Sequence, residues 1–225
     1  MLHFEILGFA QDDVAAYPLR LMAKRDVSAQ LTTELNDATQ RARKLVERTD
    51  GRVFTVRPNP LSWSAAECLS HLTLTGKAFV PVIQEAISKA KKRGPKPKRS
   101  PHVDVLGNVL RWLMEPPART RFKTSAPFVP RAARPKFEAW AEFASLQSQL
   151  MYEALEANEV EFRAVRVVSI FDWRIHYTLY SAFRIIAAHE RRHLWQAEKA
   201  VDEVMKRFTP AARPAGSSAS LEELR

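Results

Sequence analysis

The chain has 225 residues, of which 46% are hydrophobic and 27% are charged, and its formal net charge is +10. This composition is typical of a globular protein, and because the chain has no uninterrupted apolar run of about 18 residues, it predicts no membrane span. The single cysteine, Cys68, excludes an intrachain disulfide. Together with the lack of a secretory signal after Met1, it predicts a cytoplasmic protein.

The positive charge is concentrated in one stretch, residues 89–136, which we call the basic connector. It holds 14 lysines and arginines against two acids, so the rest of the chain sums to a net charge of −2. A nucleic-acid-binding fold usually carries its basic residues on a face of its structured elements. The charge therefore argues against such a fold. A nucleic-acid-binding or regulatory module that uses the basic connector stays open as an alternative.

Helical periodicity dominates the chain after an N-terminal extension at residues 1–26. A first long helix is predicted at residues 27–49, where apolar residues recur at alternating steps of four and three. They are Leu31, Leu35, Ala38, Ala42 and Leu45. A segment at residues 50–61, with one glycine and two prolines, ends this helix.

A second long helix begins at a capping box, in which Ser64 and Glu67 each accept a hydrogen bond from the other residue's backbone. Trp63 precedes the box in the position of a hydrophobic staple. The apolar stripe of this helix continues to Ala86, and Pro81 within it predicts a kink or a local irregularity.

The remaining elements follow in chain order. They are a short helix at residues 104–114, a third long helix at 136–157, an extended segment at 162–171, a fourth long helix at 178–208 and a disordered tail at 209–225. The sequence thus predicts one all-α domain, a four-helix bundle, at residues 27–208.

The lengths of the connections predict how the four long helices are wired. The first connection has about a dozen residues and suits antiparallel neighbours. The second has more than forty residues, which suits a crossover that makes the second and third helices parallel. The arginine-rich loop at residues 116–136 is then expected near the beginning of the second helix, at the end where His71 lies.

Two histidines, His189 and His193, lie four residues apart on the fourth helix, so both imidazoles share one face. His71 lies about two turns into the second helix. If these helices pack together, three neutral imidazoles converge on one metal ion and leave a coordination position open, as in catalytic metal sites. The alternative is that each histidine is a core residue with a hydrogen bond to a neighbour.

Two segments of the chain resemble the signature segments of the DinB/YfiT-like superfamily. They are Trp63-Ser64-x-x-Glu67-x-x-x-His71-Leu72 and Ile186-Ala187-Ala188-His189-Glu190-Arg191-Arg192-His193-Leu194-x-Gln196. The resemblance covers most of the chain and implies a bundle with an up-down-down-up path. It also implies a divalent metal, often zinc or nickel, held by His71, His189 and His193.

The resemblance further implies one of two activities. The first is S-transfer or isomerisation with a low-molecular-weight thiol such as bacillithiol or mycothiol. The second is iron-dependent formation of C–S bonds, which is tied to an H-x-x-x-H-x-E motif. Because Trp195 stands in place of that glutamate, we expect a thiol-dependent S-transferase acting on small electrophiles. A non-catalytic metal-binding bundle, such as a homodimer, is the alternative.

Several other residues are candidates for the site. Glu190 and Glu67 are candidates for base chemistry or for orienting a ligand; the alternatives are a surface ion pair for Glu190 and the capping box for Glu67. Cys68 is expected in the core. Arg191 and Arg192 are expected to point away from the metal face.

Basic residues of the loop before the third helix are candidates for a rim that attracts an anionic substrate. The alternative is a solvated loop. The rim candidates are Arg119, Arg121, Lys123, Arg131 and Arg134.

Overall fold

A computed structural model describes residues 27–94, 103–117 and 123–208. Within these ranges the chain forms six α-helices and one short hairpin. The helices are α1 (Val27–Arg48), α2 (Gly51–Thr55), α3 (Ala65–Lys92), α4 (Val105–Met114), α5 (Lys136–Glu156) and α6 (Leu179–Phe208), and the strands are β1 (Arg166–Val168) and β2 (His176–Thr178). The prediction of an all-α protein is confirmed. The predicted extension at residues 1–26 and tail at 209–225 lie outside the described residues.

Local sequence explains most of the helix ends. Both hydrogen bonds of the predicted capping box form between Ser64 and Glu67, and α3 continues as one helix through Pro81. The short helix α2 was not predicted. It lies in the segment predicted to end the first helix, where the side chain of Asp50 accepts a hydrogen bond from the backbone of Arg52 and thereby caps α2.

Paired contacts along α1 and α6 show that these two helices are parallel. Glu34 pairs with Arg184 near the start of both helices, and Arg41 pairs with Glu198 about two turns further along α1 and about four turns further along α6. The start of α5 lies at the end of α1, since the ammonium of Lys136 donates to the carbonyl of Thr49 at 2.8 Å. Helix α5 is therefore antiparallel to α1.

Helices α3 and α5 are parallel, as the long crossover predicts. Gly76 packs against Leu146, and further along both helices Gln84 donates to Glu153 at 2.7 Å. The four long helices thus follow the up-down-down-up path.

One detail of the wiring prediction is wrong. Helices α5 and α6 each pack against both α1 and α3, so α1 and α3 are antiparallel but lie at opposite corners of the bundle.

The core consists of two apolar clusters separated along the bundle by a polar layer. One cluster is built around Leu35, Phe79, Ile83, Leu150, Tyr177 and Phe183. The other is built around Leu45, Phe54, Leu69, Phe143, Leu194 and Val201. The polar layer between them contains His71, Gln147, His189, Glu190 and His193, all of which are buried. Burial of so many polar groups at one level requires partners for them.

The short helix α4 packs on α6 and fixes part of the crossover to the bundle. Asp104 caps α4, since it accepts from the backbone of Gly107 at 2.7 Å. The same carboxylate accepts from the backbone of Thr178 at 2.6 Å and from the hydroxyl of Ser181 at 3.1 Å. A side chain on Gly107 would collide with Ser181, so the close approach of the two helices requires glycine there.

Among the helices of the described ranges, none combines the length and the apolar character that a membrane span needs.

Candidate metal centre

Three histidines from two helices meet in the polar layer. His71 lies on α3, seven residues after the Ser64 cap, and His189 and His193 lie near the middle of α6. All three side chains are buried, with 3%, 6% and 8% of their surface exposed. The structure therefore brings together the three residues that the sequence predicts as metal ligands.

The nitrogen atoms of the three rings are close enough to share one ion. One ring nitrogen from each histidine lies within 4.8 Å of the others. The Nε2 atoms of His71 and His189 are 3.1 Å apart, and the ring of His193 is centred 4.3 Å and 4.5 Å from the other two. Two nitrogens bound to one tetrahedral zinc at ordinary bond lengths are about 3.3 Å apart. The donor set fits a small divalent cation.

A backbone carbonyl sets the tautomer of His71. The Nδ1 atom of His71 lies 2.7 Å from the carbonyl oxygen of Phe128. The carbonyl can only accept, so Nδ1 donates its proton and Nε2 keeps a lone pair, which faces His189. Metal-bound histidines commonly donate their second nitrogen to a carbonyl in this way, because the bond fixes the ring and raises its basicity.

Burial keeps the three histidines neutral. It lowers the pKa of His71, although the hydrogen bond with Phe128 opposes this. The pKa values of His189 and His193 lie well below the ordinary value, first because of burial and then because of the neighbouring histidines and Arg192. A histidine must be neutral to bind a metal, so these rings are ready to coordinate at neutral pH.

Aromatic rings border the histidines. Trp63 lies against His71 and His193, with ring centroids 4.9 Å and 5.9 Å away. Phe171, from the hairpin between β1 and β2, meets the ring of His189 edge-on at 6.3 Å. The imidazoles are thus enclosed by apolar surface, which strengthens electrostatic interactions at the site.

Glu190 is buried and faces α5. Its Oε1 accepts a hydrogen bond from Gln147 at 2.6 Å, while its Oε2 and the side-chain oxygen of Gln147 have no partner among the described residues. Burial raises the pKa of Glu190 to about 8. A proton on Oε2 would turn one of these two orphaned acceptors into a donor. Glu190 is thus not the surface ion-pair residue that was one alternative, and its catalytic role stays a prediction.

Two other candidates have structural roles. Glu67 is the capping-box residue, and it also accepts three hydrogen bonds from the guanidinium of Arg57. Its carboxylate is satisfied without any role at the metal site. Cys68 is buried, and burial raises the pKa of its thiol to about 12. It is a core residue, as expected.

The arginine-rich loop reaches the histidine level, as predicted, because Phe128 belongs to it. Of the rim candidates, Arg119 and Arg121 lie outside the described residues. Lys123, Arg131 and Arg134 are exposed, and Arg134 forms an ion pair with Glu142 at 2.6 Å. A rim that attracts anions stays a prediction, and so does nucleic-acid binding by the basic connector.

The two arginines between the histidines of α6 behave differently. Arg191 points away from the site, as expected, and pairs with Glu34 and Glu115. Arg192 is buried, with 5% of its surface exposed, and it donates to the carbonyl of Leu113 at 2.9 Å. Its charge lowers the pKa of both histidines of α6. The expectation that Arg192 points away from the metal face stays a prediction.

Sequence reasoning missed Phe128 and Phe171 as neighbours of the site. The contact at Phe128 is made by a backbone carbonyl, which leaves no signal in the residue type. Phe171 lies about twenty residues before the motif on α6 and reaches it only through the turn of the hairpin. Neither contact has a periodicity that could reveal it.

A helical bundle with three buried histidines at one level defines a class of candidate metal proteins. The chain belongs to the DinB superfamily, whose family model matches residues 34–197. The match includes all three histidines and parts or all of the four long helices. No curated protein and no solved structure matches the chain significantly.

Proposed function

We propose that this DinB-superfamily protein holds a divalent metal ion, zinc or nickel, through His71, His189 and His193. The observation that carries the proposal is the 3.1 Å approach of two Nε2 atoms, with the third imidazole adjacent. A proton on the Nε2 atom of His189 would satisfy only these two rings, whereas one cation would bind all three imidazoles. Three protein ligands also leave a coordination position for a small molecule.

We further propose that the protein is a thiol-dependent S-transferase acting on small electrophiles. When bound, a divalent metal supplies a Lewis acid that lowers the pKa of a thiol at the open position. The chain's own residues orient and enclose the reactants. The carbonyl of Phe128 holds His71 in one tautomer, and Trp63 and Phe171 exclude water from the imidazoles.

Glu190 has a positioning role in this proposal. Its carboxyl group is hydrogen-bonded to Gln147 on α5, and it follows His189 directly in α6. The pair therefore fixes the rotation of α6 relative to α5, and with it the direction of the histidine that precedes Glu190.

The experiment is a thiol-consumption assay with and without metal. Untagged protein is stripped of metal, reloaded with zinc or nickel, and supplied with a thiol and a panel of electrophiles. The expected result is consumption that requires metal and is lost in His193→Ala. Cys68→Ala is the matched control, because the buried thiol should not contribute. Metal-loaded protein that consumes no thiol with any electrophile would favour the non-catalytic metal-binding bundle.

A further inference from the structure

An open recess of about 500 Å³ lies in the turn between β1 and β2. It is lined by residues 169–174, which include the aromatic side chains of Phe171 and Trp173. Phe171 has 42% of its surface exposed and Trp173 has 77%. Large aromatic side chains left in solvent beside a concave surface are a common feature of ligand sites.

Phe171 connects this recess with the metal centre. Its ring meets that of His189 at 6.3 Å, and it also packs edge-on against Phe128 at 5.6 Å and Phe79 at 6.1 Å. One side chain thus lines the recess and touches a proposed metal ligand. A molecule with a donor atom on the metal could extend past Phe171 toward Trp173.

The charged groups of the recess neutralise each other. Arg174 donates to both oxygens of Asp172, at 3.0 Å and 2.7 Å. The backbone of Arg174 also donates to that carboxylate, and the backbone of Ile175 donates to the carbonyl of Asp172. These bonds hold the turn in one conformation, so little ordering is needed on binding.

We propose that Phe171 and Trp173 form a subsite for an aryl group of the molecule whose donor atom occupies the open position on the metal. This inference rests on the proposed function, because it requires a ligand at the metal. It differs from the expectation of an anionic substrate. The recess offers two aromatic faces and an internally paired arginine, and its lining includes none of the described rim candidates.

The test measures binding of simple thiols to protein loaded with Co²⁺. Ethanethiol, benzyl mercaptan and 3-mercaptopropionate are titrated separately, and each Kd is read from the visible absorption of the Co²⁺ ion. Benzyl mercaptan is expected to bind roughly three- to tenfold more tightly than ethanethiol, from the usual strength of aromatic pairing. In Trp173→Ala this ratio is expected to fall at least threefold.

The matched control is Phe208→Ala, which removes another exposed aromatic residue at the end of α6. It lies roughly 20 Å along the helix from His193 and should leave the ratio unchanged. An equal ratio in wild type and Trp173→Ala would overturn the aryl subsite, and so would tightest binding of 3-mercaptopropionate. If no thiol changes the spectrum of the bound Co²⁺, the proposed function fails instead.

Discussion

Two polar clusters tie the crossover to α6, and they differ in how their hydrogen-bonding groups are paired. In the Asp104 cluster, every contact joins a donor to an acceptor: the carboxylate accepts from Gly107, Thr178 and Ser181. In the histidine cluster, the carbonyl of Phe128 uses one nitrogen of His71, and the other faces a nitrogen of His189. The first cluster is complete in itself, whereas the second brings ring nitrogens of three imidazoles together.

The electrostatics of the two clusters follow the same division. Burial alone would raise the pKa of Asp104, but the hydrogen bonds outweigh it, so the pKa is lowered and the charge is stabilised. For the histidines, burial and the neighbouring charges all favour the neutral form. A cluster whose hydrogen-bonding groups are all paired with one another indicates a structural role. Neutral imidazole nitrogens that converge on one point indicate a binding role.

The largest expected effect is on metal affinity. Zinc binding should be weakened by more than about 100-fold in each of the variants His71→Ala, His189→Ala and His193→Ala. Loss of a hydrogen bond that only supports a metal ligand costs up to about 100-fold in affinity, and loss of the ligand itself should cost more. Competition with a chromophoric chelator measures the affinity. Asp104→Ala is the control and should bind zinc as the wild type does. Unchanged zinc affinity in all three histidine variants would show that these histidines do not bind the ion.

The second prediction concerns stabilisation by metal. Zinc at about 100 times its Kd should raise the free energy of unfolding by about 2.7 kcal/mol, since the ion binds only the folded state. Urea unfolding with and without zinc measures this. The same increment is expected for Asp104→Ala, and at most about 0.4 kcal/mol is expected for His193→Ala. An increment retained in His193→Ala would show that zinc acts elsewhere.

The third prediction concerns the Asp104 cluster itself. Asp104→Ala should lower the free energy of unfolding by about 2 kcal/mol, because it removes a helix cap and leaves several donors without an acceptor. Urea unfolding of metal-free protein measures the loss. Asp202→Ala, which removes an exposed carboxylate on α6, is the control, with little change expected. A loss no larger than that of the control would contradict the structural role of the cluster.

The smallest expected effect concerns Glu190. Its folded-state pKa of about 8 lies above its ordinary value, so the folded state holds its proton longer as the pH rises. The free energy of unfolding of the wild type should therefore decrease as the pH rises from the ordinary pKa of Glu190 to its folded-state pKa. The variant Glu190→Gln lacks this decrease. Relative to wild type, the variant should gain about 1 kcal/mol between pH 7 and 8.

Urea unfolding of metal-free protein at both pH values measures this difference. Histidine titration cancels from this difference, because the wild type and the variant contain the same histidines. Glu198→Gln, on the same helix but half-exposed and paired with Arg41, is the control. A pH-independent difference for Glu190→Gln would show that Glu190 is ionised in the folded state.

Much of the fold could be predicted because its signals are local. The capping box of Ser64 and Glu67 placed the start of α3, and the apolar repeat of α1 gave its extent. The crossover length gave the parallel pairing of α3 and α5. The prediction that α1 and α3 are neighbours was wrong. A short connection limits the distance between two helices, but it does not determine whether they occupy neighbouring or diagonal corners of the bundle.

The candidate site likewise has one part that the sequence predicts and another that it does not. By itself, the sequence determined that His189 and His193 share a face, because four residues make about one helical turn, and its two motifs identified the family and His71. Only the tertiary structure decided what surrounds them: the carbonyl of Phe128 and the ring of Phe171. These contacts join residues far apart in the chain. The pattern of side chains along the sequence predicts neither which backbone carbonyl accepts a hydrogen bond nor where a hairpin turn lies in the fold.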